Sequence, residues 1–126
     1  MVYIIDTSAW IEYLEGSSKG EKVNELLANN EEIYIILIVL SEIVSKVKRS
    51  NGDVDLAYNS LIKNAKIFEI TPRIAKEAGL LHVETRLRIP NFALADATII
   101  CAAKALKAKI ITADNHFKSF KEAIII

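Results

Sequence analysis

The stretch Val2–Ser8 has the sequence VYIIDTS, a short apolar run that ends in an acid and two hydroxyl side chains. An apolar run of this length between polar residues is typical of a buried strand. Similar runs follow along the chain, at Ile33–Ile36, Lys66–Ile70, Lys109–Thr112 and Ala123–Ile126. Helical patterns lie between them, and strands separated by helices pair in parallel through right-handed crossovers. We predict the α/β class, with a central parallel sheet of about five strands flanked by α-helices.

Six helices are predicted from apolar periodicity and from residues that start or stop helices. Thr71 and Asn91 are expected to cap two of them. The last helix is apolar on nearly every side, which is typical of a buried helix. The predicted helices run from Ser8 to Leu14, from Ser17 or Ser18 to Leu27, from Val39 to the stop at Asn51-Gly52, from Asp53 or Asp55 to Asn64, from Pro72 to Arg88, and from Phe92 to Leu106.

Length and composition narrow the class of protein. A chain of 126 residues has the usual size of one domain, so we expect a single domain over residues 1–126. The 16 basic and 16 acidic residues cancel, which argues against a polycation that coats nucleic acid nonspecifically. The hydrophobic fraction of 52% is high for so small a domain, so we expect a partner to cover some apolar surface.

The cellular compartment is indicated by cysteine content and by the apolar runs. The single cysteine, Cys101, excludes an internal disulfide and a cysteine-based zinc cluster, and it fits a cytoplasmic protein. We expect no signal peptide, because the start of the chain lacks a basic segment and soon contains an acid. The longest apolar run, Ile33–Leu40, is well short of the roughly 20 residues that cross a membrane.

Four acids are predicted to face one edge of the sheet. Asp6 and Asp114 each follow an apolar strand, and the carboxyl ends of parallel strands meet at the edge where α/β proteins bind ligands. Glu42 is expected in the first turn of the helix after the second strand. Asp96 is expected in the first turns of the apolar helix. We therefore predict that the four carboxylates converge on one cleft.

Each acid also has a purely structural explanation. Asp6 could cap a helix, Asp114 could belong to a turn, and Glu42 could complement a helix dipole. Asp96 is the least ordinary, because a carboxylate within an apolar helix is costly to bury without a metal, a cation or a capping role. Four such residues at one edge favour a functional site.

The chemistry of such a cluster follows from its charge. Close carboxylates repel one another, so some stay protonated unless cations intervene. Oxygen-rich sites with few histidines suit Mg²⁺ or Mn²⁺, which bind phosphates and activate water. The residues themselves therefore predict metal-dependent hydrolysis of phosphodiesters.

Four segments, in this order, resemble the PIN-domain family, and most closely the VapC toxin ribonucleases of VapBC toxin–antitoxin pairs. They are Ile4–Trp10 (IIDTSAW), Leu40–Ile43 (LSEI), Leu94–Ala97 (LADA) and Thr112–Phe117 (TADNHF). The resemblance covers essentially the whole chain. It implies a PIN-like fold and an endoribonuclease that depends on Mg²⁺ or Mn²⁺. It also implies a homodimer that a VapB-type antitoxin inhibits.

The resemblance further implies roles for single residues. Asp6, Glu42, Asp96 and Asp114 match the family's acidic quartet of catalytic residues and metal ligands. Asp6 and Asp96 are expected to bind metal directly, and Glu42 and Asp114 directly or through water. Four neighbouring positions match supporting polar residues: Thr7, Ser8, Thr112 and Asn115.

Two basic clusters are either solvated helix ends or contacts for RNA phosphates. Lys46, Lys48 and Arg49 form the first cluster, and Arg86 and Arg88 form the second.

Other chemically active side chains have structural interpretations. His116 invites an acid–base role, but a polar residue in a turn is the preferred interpretation. His82 and Cys101 are expected to be structural. Trp10 and Tyr13 are expected to pack in the core or at an interface.

Three other functions share some of these sequence features. A two-component receiver domain needs two adjacent acids after its first strand and an aspartate after its third, where this chain has Asp6 alone and Phe68-Glu69-Ile70. A noncatalytic PIN-like RNA-binding protein is disfavoured because all four acids are present. A PIN nuclease of RNA processing without an antitoxin has the same sequence features as a toxin.

Overall fold

A five-stranded parallel sheet forms the centre of the protein in the computed structural model, which describes all 126 residues. The order across the sheet is β3-β2-β1-β4-β5, and every neighbouring pair is parallel. The predicted α/β class and sheet are therefore confirmed. The strands are β1 (Val2–Ile5), β2 (Glu32–Ile35), β3 (Lys66–Ile67), β4 (Lys109–Thr112) and β5 (Ala123–Ile125).

The order of the strands switches sides at β1. From β1 the chain adds β2 and β3 on one side, and then crosses back to place β4 and β5 on the other. Ile5 of β1 is in register with Ile111 of β4, so the next residues, Asp6 and Thr112, are neighbours at the carboxyl edge. Open α/β sheets have their ligand crevice at such a switch point.

Six α-helices and one 3₁₀ turn connect the strands. Helix α5 packs against α6, and α3 packs against both α1 and α4. None of the helices has both the length and the apolar character needed to span a bilayer. The helices are α1 (Thr7–Glu15), α2 (Glu21–Ala28), α3 (Leu37–Arg49), α4 (Val54–Asn64), α5 (Pro72–Arg86) and α6 (Leu94–Leu106), and the 3₁₀ turn is Asn115–Phe117.

The core is built from the two central strands and the helices that cover them. Ile4, Ile5, Ile110 and Ile111 are fully buried, as expected of parallel strands covered on both faces. Trp10 is also fully buried, in agreement with its predicted place in the core. The prediction of a buried final helix is confirmed, since α6 buries six residues: Ala97, Ile99, Ile100, Cys101, Ala102 and Ala103.

The local sequence sets the start of two helices as predicted. Thr71 Oγ1 accepts a hydrogen bond from the Ile74 N–H at 3.2 Å, with Pro72 in the first turn of α5. Asp53 Oδ1 accepts one from the Leu56 N–H at 3.0 Å and caps α4. These caps satisfy backbone donors that the first turn of a helix leaves free.

Three predicted boundaries are wrong, at the start of α2, the end of β3 and the end of α5. Helix α2 begins at Glu21 and has no side-chain cap from Ser17 or Ser18. The Ser17 hydroxyl instead donates to the carboxylate of Glu12 in the preceding helix. Strand β3 is shorter than predicted, and α5 ends at Arg86 rather than at Arg88.

Two further helix starts also differ from the prediction. Helix α3 begins at Leu37 rather than at Val39. Only Ile36 separates it from the end of β2. Helix α6 begins at Leu94, and Asn91 does not cap it. Both shifts change where an acid lies within its helix.

Candidate active site

Asp6 lies in the crevice between β1 and β4 and is 5% exposed. It precedes α1, but its side chain makes no capping hydrogen bond, so capping does not explain it. Its Oδ2 instead accepts hydrogen bonds from Thr112 Oγ1 and Ser8 Oγ, both at 2.9 Å. Burial raises the pKa of the Asp6 carboxyl above its ordinary value, the two hydroxyls oppose that rise, and the charge of Asp114 adds to it.

The hydroxyls of Ser8 and Thr112 tie the ends of β1 and β4 together. Ser8 Oγ accepts the Ala113 N–H at 3.0 Å, and Thr112 Oγ1 accepts the Asp114 N–H at 2.9 Å. Each hydroxyl thus links the Asp6 carboxylate to the backbone that follows β4. Because both donate to Oδ2, Oδ1 has no side-chain donor.

Glu42 joins the site through Thr7. Because α3 begins at Leu37, Glu42 lies in the second turn of the helix, and its predicted position in the first turn is wrong. A helix dipole acts mainly within the first turn, so it does not account for this acid. The buried Thr7 donates from Oγ1 to Glu42 Oε1 at 2.8 Å.

Asp96 is the third residue of α6 and accepts the Ala93 N–H at Oδ2, at 3.0 Å. This is half of a capping box, since alanine has no side-chain acceptor to complete it. This single hydrogen bond does not offset the cost of burying the Asp96 charge, however. Burial raises the pKa of the Asp96 carboxyl to about 6, the Ala93 hydrogen bond opposes that rise, and the charges of Asp6 and Asp114 add to it.

Asp114 and His116 lie beside Asp96, in a group of close ligand atoms that contains neither Asp6 nor Glu42. Asp114 precedes the 3₁₀ turn, and its Oδ1 accepts the His116 N–H at 2.8 Å. One ligand atom from each of Asp96, Asp114 and His116 lies within 4.8 Å of the other two. His116 lies in the 3₁₀ turn as predicted, and its position two residues after Asp114 is the one sequence signal of a further role. Asn115 is exposed, and its side chain takes no part in these hydrogen bonds.

No lysine or arginine neutralises these acids. The three ion pairs that involve lysine, arginine or the N-terminal amine all lie elsewhere. His116 is the one basic side chain paired with an acid of the site. Carboxylate oxygens at the carboxyl edge of a sheet repel one another, and a divalent cation such as Mg²⁺ or Mn²⁺ would relieve that repulsion. Both ions prefer oxygen ligands of this kind.

The predicted RNA-binding cations lie on two helix ends. Lys46, Lys48 and Arg49 fill the last turn of α3, and Lys46 and Arg49 line an apolar groove between α1, α3 and α4. Arg86 ends α5 and donates from Nε to a backbone carbonyl of the following loop at 3.1 Å, and Arg88 is exposed beyond it. None of the five forms an ion pair.

The raised pKa of Asp96 predicts a specific pH dependence of stability. Between its unfolded value near 3.8 and about 6, the folded protein binds more protons, so this group lowers stability as the pH rises through that window. In EDTA, Asp96→Asn should therefore raise the melting temperature by roughly 3 °C at pH 7.5 and by less at pH 5. Calorimetry of both proteins at both pH values measures this, and an equal difference at the two pH values would contradict it.

Comparison with known proteins places the chain in a family. The sequence profile of the PIN domain matches residues 3–123. No curated protein sequence matches the chain.

Several solved structures share its fold. A toxin–antitoxin complex from Klebsiella pneumoniae contains a chain with 20% identity and a TM-score of 0.77, over 97% of this chain and 95% of that one. VapBC2 from Rickettsia felis, bound to a DNA fragment from its promoter, matches with 22% identity and a TM-score of 0.76. The match covers 100% of this chain and 98% of the other. VapC20 from Mycobacterium tuberculosis, a sarcin-ricin loop cleaving toxin, matches with 17% identity and a TM-score of 0.75. The match covers 94% of this chain and 95% of the other. The predicted PIN-like fold is confirmed, and the chain belongs to the PIN domain family.

Proposed function

We propose that residues 1–126 form one PIN domain that acts as a metal-dependent endoribonuclease and hydrolyses RNA phosphodiester bonds. The observation that carries the proposal is the set of carboxylates at the switch between β1 and β4, which no lysine or arginine neutralises. Such a set is unfavourable at neutral pH unless it binds a cation. Membership of the PIN family supports nuclease chemistry at this position.

The acids of the site would hold the cation. Asp6 and Asp96 would bind it directly, and Glu42 and Asp114 directly or through water. A divalent ion in such a site activates the attacking water and stabilises the negative charge that develops on the phosphate.

The hydroxyl residues would keep the carboxylates in place. Ser8 and Thr112 hold Oδ2 of Asp6, so no side-chain donor competes with the cation for Oδ1. Thr7 holds Oε1 of Glu42 and leaves Oε2. Hydrogen bonds of this kind orient ligating groups before the substrate arrives. Asn115 remains a predicted supporting residue without an observed contact.

The RNA strand would be bound by the exposed cations at the ends of α3 and α5. Lys46, Lys48, Arg49, Arg86 and Arg88 make no ion pairs, so their charges remain available to phosphates. The chain has no net charge, so these local cations and the bound metal would supply the attraction.

We also propose that the protein is the cytoplasmic toxin of a VapBC-type pair, a homodimer inhibited by a VapB-type antitoxin. Leu37, Ile38 and Leu94 are 54%, 46% and 55% exposed and line one groove together with Glu42. Exposed apolar patches of this kind mark sites of protein association. The similar folds in the Klebsiella pneumoniae and Rickettsia felis toxin–antitoxin structures support an antitoxin as the partner.

The direct test is cleavage of a labelled RNA pool by the purified protein in EDTA, Mg²⁺ or Mn²⁺. A DNA pool of the same sequences and the Asp6→Asn variant run beside it. We expect cutting of RNA alone, only with metal, and none by the variant. If folded, inhibitor-free protein cuts nothing under any metal but still binds RNA, a noncatalytic RNA-binding PIN protein becomes the better explanation.

A further inference from the structure

We propose that His116 is a nitrogen ligand of the divalent ion, so that this site prefers Mn²⁺ and later transition metals over Mg²⁺. The inference rests on the proposed metal site and adds a residue that the acidic quartet does not contain. Its basis is the position of the His116 ring, which faces the Asp96 and Asp114 carboxylates with ligand atoms within 4.8 Å of one another.

The backbone of the 3₁₀ turn orients the imidazole toward the acids. The N–H of His116 donates to Asp114 Oδ1 at 2.8 Å, which fixes the start of the side chain beside that carboxylate. The ring nitrogen Nδ1 then lies 3.4 Å from the same oxygen. This distance is longer than the 2.7–3.2 Å of ordinary N–H···O hydrogen bonds. Two ligands of one octahedral ion, each about 2.1 Å from it, lie roughly 3 Å apart. The observed separation is close to that value.

The second histidine of the chain shows the contrast. His82 Nε2 lies 3.1 Å from the carbonyl oxygen of Phe92, within the ordinary hydrogen-bond range. That carbonyl accounts for the polar contact of His82, and no carboxylate of the site is involved. His116 has no such carbonyl partner, and its side chain is 36% exposed, so the ring is accessible from solvent.

An imidazole changes the metal preference of a carboxylate site. Carboxylate and water ligands suit Mg²⁺, while imidazole nitrogen favours transition metals along the Irving–Williams series. A site with Asp96, Asp114 and His116 therefore gains affinity for Mn²⁺ that oxygen ligands alone do not give.

Electron paramagnetic resonance of Mn²⁺ bound to the full chain tests this directly. The chain has two histidines, so His82→Gln leaves only His116 and serves as the matched control. We expect electron spin-echo modulation from a directly bound ¹⁴N in wild type and in His82→Gln. The modulation should change to the ¹⁵N pattern after selective ¹⁵N-histidine labelling and disappear in His116→Phe. The labelling experiment uses unaltered protein, so it does not depend on the folding of a variant.

Competition between metals gives a second readout. In His116→Phe the Mn²⁺ affinity should fall about tenfold or more, while the Mg²⁺ affinity should change far less. Bound Mn²⁺ without histidine modulation, or equal losses for both metals, would overturn the nitrogen ligand and leave the acidic metal site intact. Absence of any Mn²⁺ binding would overturn both, so the two failures are distinguishable.

Discussion

Asp96→Asn should lower the rate of RNA cleavage by about 10³-fold or more under the proposed function, because it removes a proposed ligand of the metal ion, which would supply several kcal/mol of transition-state stabilisation, and each 1.4 kcal/mol is tenfold. The fold should survive, since the asparagine oxygen can still accept the Ala93 N–H that the carboxylate accepts now. Single-turnover cleavage at saturating Mg²⁺ or Mn²⁺ measures the rate, and far-UV circular dichroism checks the fold.

A matched control comes from α4. Asp55 is also an acid in the first turn of a helix, but it is exposed and lies outside the site. Asp55→Asn makes the same chemical change and should leave the cleavage rate within about twofold of wild type, as surface substitutions generally do. Cleavage by Asp96→Asn at the wild-type rate would show that the assignment of the acidic quartet is wrong.

Thr112→Val should reduce both stability and activity, although it hardly changes the shape of the side chain. The hydroxyl is fully buried, donates to Asp6 and accepts the Asp114 N–H. Its removal leaves the Asp114 N–H without its acceptor and leaves Asp6 Oδ2 with Ser8 as its one side-chain donor, at a cost of about 1–3 kcal/mol in the free energy of unfolding. Because Thr112 holds Asp6, a proposed metal ligand, loss of its hydroxyl should also lower the cleavage rate by roughly 10–100-fold. Denaturant unfolding and single-turnover cleavage measure the two effects.

Thr85 provides the control for this substitution. It is 1% exposed like Thr112, but its Oγ1 has no hydrogen-bond partner. Thr85→Val therefore removes a buried hydroxyl that makes no hydrogen bond. The free energy of unfolding should stay the same or rise by up to about 1 kcal/mol. If the two variants lose stability equally, the hydroxyl network around Asp6 contributes nothing specific.

The features that could be predicted from sequence are those determined by residues close together along the chain. Asp6 and Asp114 follow apolar runs, so their place at the carboxyl edge of a parallel sheet followed from local pattern and general topology. Thr71 and Asp53 cap their helices because a capping bond spans only three residues. The PIN-like fold was indicated by four segments in order, and the family profile confirms it.

The features that could not be predicted depend on distant parts of the chain. Thr112 and Asp6 are 106 positions apart, and their hydrogen bond exists only because β1 and β4 are in one particular register. Asn91 is a good capping residue by type, yet α6 begins three positions later at Leu94, and the N-cap position is Ala93, whose N–H donates to Asp96. His116 lies in a turn as predicted, but its nearness to Asp96 could not be predicted, because that depends on how α6 lies against the end of β4.

The switch in strand order also has a consequence for folding. The strand at the middle of the sheet is made first, but one of its two neighbours is β4, which lies more than a hundred residues later. Pairings between such distant segments form slowly, because the chain must close a long loop before it gains the contact. Asp6 follows β1 and Asp114 follows β4, so the crevice is complete only when these two strands pair. A partly folded or interrupted chain therefore has no complete crevice, and the proposed cleavage activity would arise only together with the finished fold.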